Sequence, residues 1–236
     1  MAQYFTDFSE YTAGGAPSDW TDRGDGGSVY EVVADATSTG GKHLDVSTTG
    51  GFGRRLLSWD AIDGDAGRAD FEIVTRARLV TGVARSWTGG RASGSGSSLV
   101  GYIGTHRPHN DRFEIVRYEP DFASLAEVSW TPNIPQWVWQ RFRVNGTSLK
   151  FRRWDDGDAE PSTWQIEITD SSVTAAGSVG LGQPATGPGQ TDIALFDVFG
   201  VGTNGDPAPT EAPPLLGPNG RLLRGPNGGL LRLAGA

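Results

Sequence analysis

The chain has 236 residues, 35 of them glycine, with no cysteine and a formal net charge of −8. That length can hold one all-β domain with a substantial core, and the lack of cysteine excludes disulfides and thiolate metal sites. The acidic balance argues against nucleic acid as a partner, because its binders carry a clustered basic face that releases counterions.

No basic or apolar leader opens the chain, and no stretch approaches the roughly 20 apolar residues of a membrane helix. Neither signal-directed export nor membrane insertion is expected; the protein is made in a cytoplasm and leaves it only within a larger particle. Residues 1–27 read as an opening strand and a turn-rich loop, GGAPSDWTDRGDGG. Short strands then follow in series: 28–33, 42–46, 52–57, 70–80, 98–104, 112–118, 124–130, 137–144, 148–154, 164–168, 177–182 and 192–200. The Gly-rich RASGSGSS at 91–98 reads as a flexible loop. In DFEIVTRARLV, Phe71, Ile73, Thr75, Ala77 and Leu79 share one face and Glu72, Arg76 and Arg78 the other, so one buried and one wet face are expected. Residues 137–154 read as a hairpin turning at Asn145-Gly146. This pattern predicts an all-β fold, a two-sheet antiparallel jelly roll or β-sandwich spanning 1–204.

Several segments resemble the concanavalin A-like, or LamG-like, jelly-roll superfamily of lectins and glucanases. Phe5, Asp7, Phe8, Tyr11, Gly14, Pro17 and Trp20 are similar to its opening strand and turn. Trp139, Phe142, Val144, Gly146, Leu149 and Phe151 are similar to its later hairpin, and Gly177, Val179, Gly180 and Leu181 to a following strand. Asp197, Val198 and Val201 match its closing strand loosely. The resemblance covers about residues 3–202 and implies two curved sheets with a concave face often used for glycans. The glycosidase branch carries an E-x-D-x-x-E strand; here Glu119, Pro120 and Asp121 are followed by Ser124 where the second glutamate belongs. That departure removes one of the paired carboxylates that retaining cleavage uses about 5 Å apart. The layout, one module followed by a short attachment peptide, also resembles accessory virion proteins of tailed bacteriophages.

Exposed aromatics stack on the apolar faces of sugars, and Trp87, Tyr102 and Trp154 flank polar or Gly-rich stretches. With His106 and His109 of the THRPHND segment they are the glycan-binding candidates, against a simpler reading in which strand tryptophans such as Trp130, Trp137, Trp139 and Trp164 only pack. His106, His109 and Asp111 could also hold a metal or exchange protons, but Pro108 prevents a helix that would align them. The acidic runs 60–70 and 154–160 lack the spacing of an EF-hand and read as solvated turns, with structural calcium as their alternative use. No metal site, cofactor or catalytic residue is assigned.

GDPAPTEAPP (205–214) reads as an extended spacer, and 215–236 holds the duplicated unit GPNGRLLR, GPNGGLLR. Burying one leucine stabilises by about 1.5–3 kcal/mol and ordering one residue costs about 1–2 kcal/mol, so such a short meander cannot order itself. Leu222, Leu223, Arg224, Leu230, Leu231, Arg232 and Leu233 are therefore expected to anchor on another surface, identical chains or other virion proteins. The expected function is a non-enzymatic virion structural or adhesion protein of head-spike, decoration or tail-fibre type, displaying a jelly roll toward host glycans. The alternatives are a polysaccharide-acting glycoside hydrolase of the same fold and a soluble lectin.

Overall fold

A computed structural model describes residues 2–50, 53–62, 68–81, 83–119, 121–131, 133–184 and 190–212. The seven predicted anchoring residues from Leu222 to Leu233 lie outside the described residues. The chain forms strands β1 (Ala2–Thr6), β2 (Trp20–Asp22), β3 (Ser28–Ala34), β4 (Lys42–Gly50) and β5 (Leu57–Trp59). They are followed by β6 (Phe71–Leu79), β7 (Ser86–Ser93), β8 (Val100–Arg107), β9 (Arg112–Glu119) and β10 (Asp121–Ser129). The remainder are β11 (Trp137–Asn145), β12 (Ser148–Asp155), β13 (Ile166–Thr169), β14 (Ser178–Gly182) and β15 (Gln190–Thr203).

Two antiparallel sheets result, a jelly-roll β-sandwich. One sheet runs β13-β12-β11-β6-β15-β4-β3, with β1 also on β15, and the other runs β10-β9-β8-β7-β14-β5-β2. Between them pack Phe71, Phe113, Phe142 and Phe151, with Trp20 stacked on Trp59 at 5.3 Å and Phe199 edge-on to both. The hairpin over 137–154 forms as expected, with Asn145 opposite Ser148 and Gly146 at φ 55°, a left-handed conformation glycine adopts without strain.

Three features depart from the expectations. The 52–57 strand begins only at Leu57, and the Gly-rich segment before 94 is the central strand β7. Its glycines serve close packing: a Cβ on Gly90 would lie 2.2 Å from the Phe71 ring, and one on Gly89 2.3 Å from Ile103. Secondly, β6 is buried on both faces apart from Arg78. Its outward Glu72 and Arg76 are held in guanidinium–carboxylate pairs: Arg76 with Asp156 and Asp197, and Glu72 with Arg141, which also grips Glu160 at 2.6 Å. Thirdly, the proline-rich run does not leave the domain at residue 205. Ala208 donates its N–H to Glu72 (3.1 Å) and accepts from Arg141 (2.9 Å), and Gln3 donates to the Pro207 carbonyl (2.7 Å). Pro209 and Asp206 cross β15 so closely that a Cβ on Gly200 or Gly202 would lie 2.0 or 2.2 Å from their carbonyls. Proline needs no ladder hydrogen bond, so this strap satisfies its backbone through side chains instead.

Candidate functional site: the outer face of the seven-stranded sheet

Most of the predicted glycan-binding residues are not available to a ligand. Tyr102 is fully buried between the sheets, its hydroxyl donating to Asp170 and accepting from the Val173 N–H at 2.9 Å. His106 is also buried there, with Nδ1 3.3 Å from Ser86 Oγ and Arg153 over the neighbouring Trp130 ring. Burial, reinforced by the Arg153 charge, holds its pKa well below the ordinary value, so the imidazole is neutral. His109 lies apart, exposed in a 3-10 turn, so the two imidazoles share no site. Trp154 is on the other sheet, stacked on Trp139 at 5.9 Å and 8% exposed. Tyr102 and His106 turned inward because a ring in a central strand gains more from burial than from water, and Trp154 is covered on its outer face by Trp139 and Ala208.

Trp87 is the exception in position, though itself buried. Alternation and pairing define its face: Trp87 opposes Thr105, Thr105 opposes Glu114, Ile103 opposes Val116, and Phe122 opposes Tyr118. All point away from the core. Trp87 contacts Tyr118 at 5.5 Å and Tyr118 contacts Phe122 edge-on at 5.7 Å, making an aromatic row that passes from the interior of the face to its edge. Phe122, at 45%, is the aromatic among the large hydrophobics left exposed in the described residues.

Arginines frame the row. Arg54 lies over Tyr118, 4.4 Å from the ring centroid, and is held by the carbonyls of Ser97 (2.9 Å) and Leu99 (2.7 Å). Arg107 reaches toward the Phe122 ring at 5.7 Å and pairs with the fully buried Glu114 at 2.7 Å, which also accepts from Ser124 at 2.8 Å. Arg54, Arg85, Tyr118, Asp25, Ser97 and Pro184 line a depression of 290 Å³. Burial, with Arg107 adding repulsion, lowers the Arg85 pKa to about 10, and burial pushes the Tyr118 phenol up to about 12. The pKa of His109 is lowered by partial burial and by Arg85, Arg107 and Arg112. Chemically, this face offers the exposed Phe122 ring beside guanidinium donors, while Trp87 and Tyr118 are buried beneath, which suits a polyhydroxylated ligand better than an apolar one. Tyr118, Phe122, Arg54, Arg85 and Arg107 were not singled out from sequence. The one signal was the period-2 alternation of 112–118, which puts Tyr118 outward but does not say what lies beside it.

Several carboxylates elsewhere are engaged by arginine. In the 154–160 run Asp155 pairs with Arg153, Asp156 with Arg76, and Glu160 with Arg141 and Arg152. Among the described residues no group of three or more His, Asp or Glu is placed to hold a metal ion; residues 63–67 of the other acidic run lie outside them. Glu119 ends β9 and Asp121 begins β10, and the two are paired across adjacent strands instead of lying along one strand.

No protein-family model matches the sequence, and no curated protein matches it significantly. Solved structures with similar folds include a carbohydrate-binding module, CBM66, from Bacillus subtilis, 15% identical over 79% of this chain and 96% of that one, with a TM-score of 0.55. A GH16 protein of Bacteroides ovatus determined with a glucan product is 9% identical over 84% and 99%, TM-score 0.54. A protein of unknown function from Shewanella oneidensis MR-1 is 11% identical over 84% of both chains, TM-score 0.56. At these identities the likeness is one of fold alone.

Proposed function

We propose that the protein is a non-enzymatic glycan-binding module that presents the outer face of its seven-stranded sheet, and that its C-terminal segment attaches it to a larger particle of phage-virion type. The observation that carries the binding role is Phe122, the exposed end of an otherwise buried aromatic row, with Arg107 beside it and Arg54 over the neighbouring Tyr118. The similarity to a carbohydrate-binding module supports it. Affinity electrophoresis through gels containing a panel of polysaccharides tests it: at least one polymer should retard the protein, and Phe122→Ala should abolish the retardation. A protein retarded by none of them, or equally with and without the ring, ends this reading.

The attachment role rests on the duplicated leucine-bearing unit at the C-terminus. The described strap implies that truncation should begin after Ala212, so that the Ala208 contacts survive. Light scattering of the intact chain and of residues 1–212 should show a larger assembly only for the intact chain; equal masses reject the role.

A second reading, glycoside hydrolysis, draws on the fold similarity to the GH16 protein and on the two carboxylates beside Pro120. Reducing-sugar release that disappears in Glu119→Gln or Asp121→Asn would replace the binding reading with this one.

A further inference from the structure

The charge on the outer face runs against the charge of the molecule. The chain carries −8 overall, yet Arg54, Arg85, Arg107 and Arg112 collect on this side of one sheet. Their carboxylate neighbours are already committed. Glu114 is shared by Arg107 and Arg112, Glu127 pairs with Arg112, and Asp25, which lines the depression, pairs with Arg55.

Arg85 stands apart from these pairs. Its Nε lacks a hydrogen-bond partner among the described residues, as do those of Arg107 and Arg112, but unlike them it is joined to no carboxylate within ion-pair distance there, although Glu114 and Asp192 lie near enough to attract it. A guanidinium drawn out of water and left unpaired costs free energy, and the cost is larger beside a second cation, here Arg107. On the opposite sheet, Arg76 and Arg141, the corresponding part-buried arginines, each have two carboxylates. A cation held at such a cost at the wall of an open 290 Å³ depression, lined also by a second guanidinium, is arranged for an anion arriving from outside.

We propose that this depression is the subsite for a carboxylated sugar residue, so that the glycan bound is an acidic polysaccharide. Arg85 supplies the charge-assisted donor for the carboxylate, and Arg54, held by the Ser97 and Leu99 carbonyls over Tyr118, lines the same depression. Asp25, which also lines the depression, stays paired with Arg55. Phe122, beyond Tyr118, takes the apolar face of a neighbouring sugar. This assignment rests on the glycan-binding reading and narrows it to one ligand class.

The test uses the full chain and three named polymers, polygalacturonate, hyaluronan and polysialic acid, each run beside its carboxyl-reduced counterpart in affinity gels. At least one acidic polymer should be retained about ten- to a hundred-fold more strongly than its reduced form, and Arg85→Gln should remove that preference while leaving the melting temperature unchanged or higher. Raising the salt should weaken the acidic arm and not the neutral one. Equal retention of acidic and reduced polymers, unaltered by Arg85→Gln, overturns the carboxylate subsite and leaves glycan binding standing. Retention of an acidic polymer that survives both Arg85→Gln and Arg54→Gln overturns it too, placing the charge contact elsewhere. Retention of no polymer of either kind overturns the glycan-binding reading itself.

Discussion

The outer faces of the two sheets carry the same residue types and treat them oppositely. On the eight-stranded sheet, Arg76 and Arg141 are closed into pairs with Asp156, Asp197, Glu72 and Glu160, the stacked Trp139 and Trp154 lie beside them, and the strap through Ala208 covers part of the network. On the seven-stranded sheet, Arg85 lacks a carboxylate partner among the described residues, and Phe122 faces water. Charge that is matched within the chain maintains the fold, whereas charge left unmatched at a cost to folding points outward to a ligand.

The comparison can be broken most directly at Asp197, which is fully buried and accepts from Arg76 and from the Thr39 N–H at 3.0 Å. Asp197→Ala should leave Arg76 with Asp156 alone and the Thr39 N–H without its acceptor, and lower the unfolding free energy by about 3 kcal/mol in urea titrations. A loss below about 1 kcal/mol would show that the two faces do not differ in kind.

A Cβ branch under the strap is the next test. Gly200→Val should collide with the Pro209 carbonyl and cost about 1–3 kcal/mol, and limited proteolysis should then cut between residues 204 and 212. An uncut variant of full stability would mean that the strap does not lie on this face.

The interior between the faces supplies a pH baseline. Because His106 titrates well below its ordinary 6.5 in the folded chain, unfolding takes up a proton below that pH. Stability should therefore fall as the solution is acidified from 6.5, approaching about 1.4 kcal/mol per pH unit for this one group. Unfolding titrations between pH 7 and pH 5 should be flatter for His106→Gln, and an unchanged slope would place the proton uptake elsewhere.

The smallest stability effects belong to the seven-stranded face. Phe122→Ala should shift stability by no more than about 0.5 kcal/mol, and Arg85→Gln should leave it unchanged or raise it, because the first ring is half-exposed and the second charge is unpaired. A cost above about 2 kcal/mol for either, by the same urea titration, would turn these residues into structural ones.

Much of the architecture was legible in the chain because strand periodicity is a local signal. The 137–154 hairpin and the strands at 28, 42, 71, 112 and 148 lie within a few residues of their expected bounds. β7 was not legible: SWTGGRAS has Thr88 as its one β-branched residue, and only the nearness of Phe71 and Ile103 explains why its glycines sit in a central strand. Of the five candidate glycan residues, Trp87 falls on the face that became the site, beneath it, and Tyr102, His106 and Trp154 pack elsewhere. A flanking glycine reports a turn or a tight approach equally well, and alternation cannot say which of two faces a second sheet will cover.

Alternation, turn residues and the absence of cysteine thus determined by themselves that the chain would be an antiparallel sandwich built on packing. Which aromatic is covered, which arginine finds a carboxylate and where residues 206–209 come to rest depended on partners more than 60 positions away, as Arg141 to Glu72 and Asp197 to Arg76 illustrate. Such pairings are formed by the closure of the two sheets, and a local pattern carries no information about them.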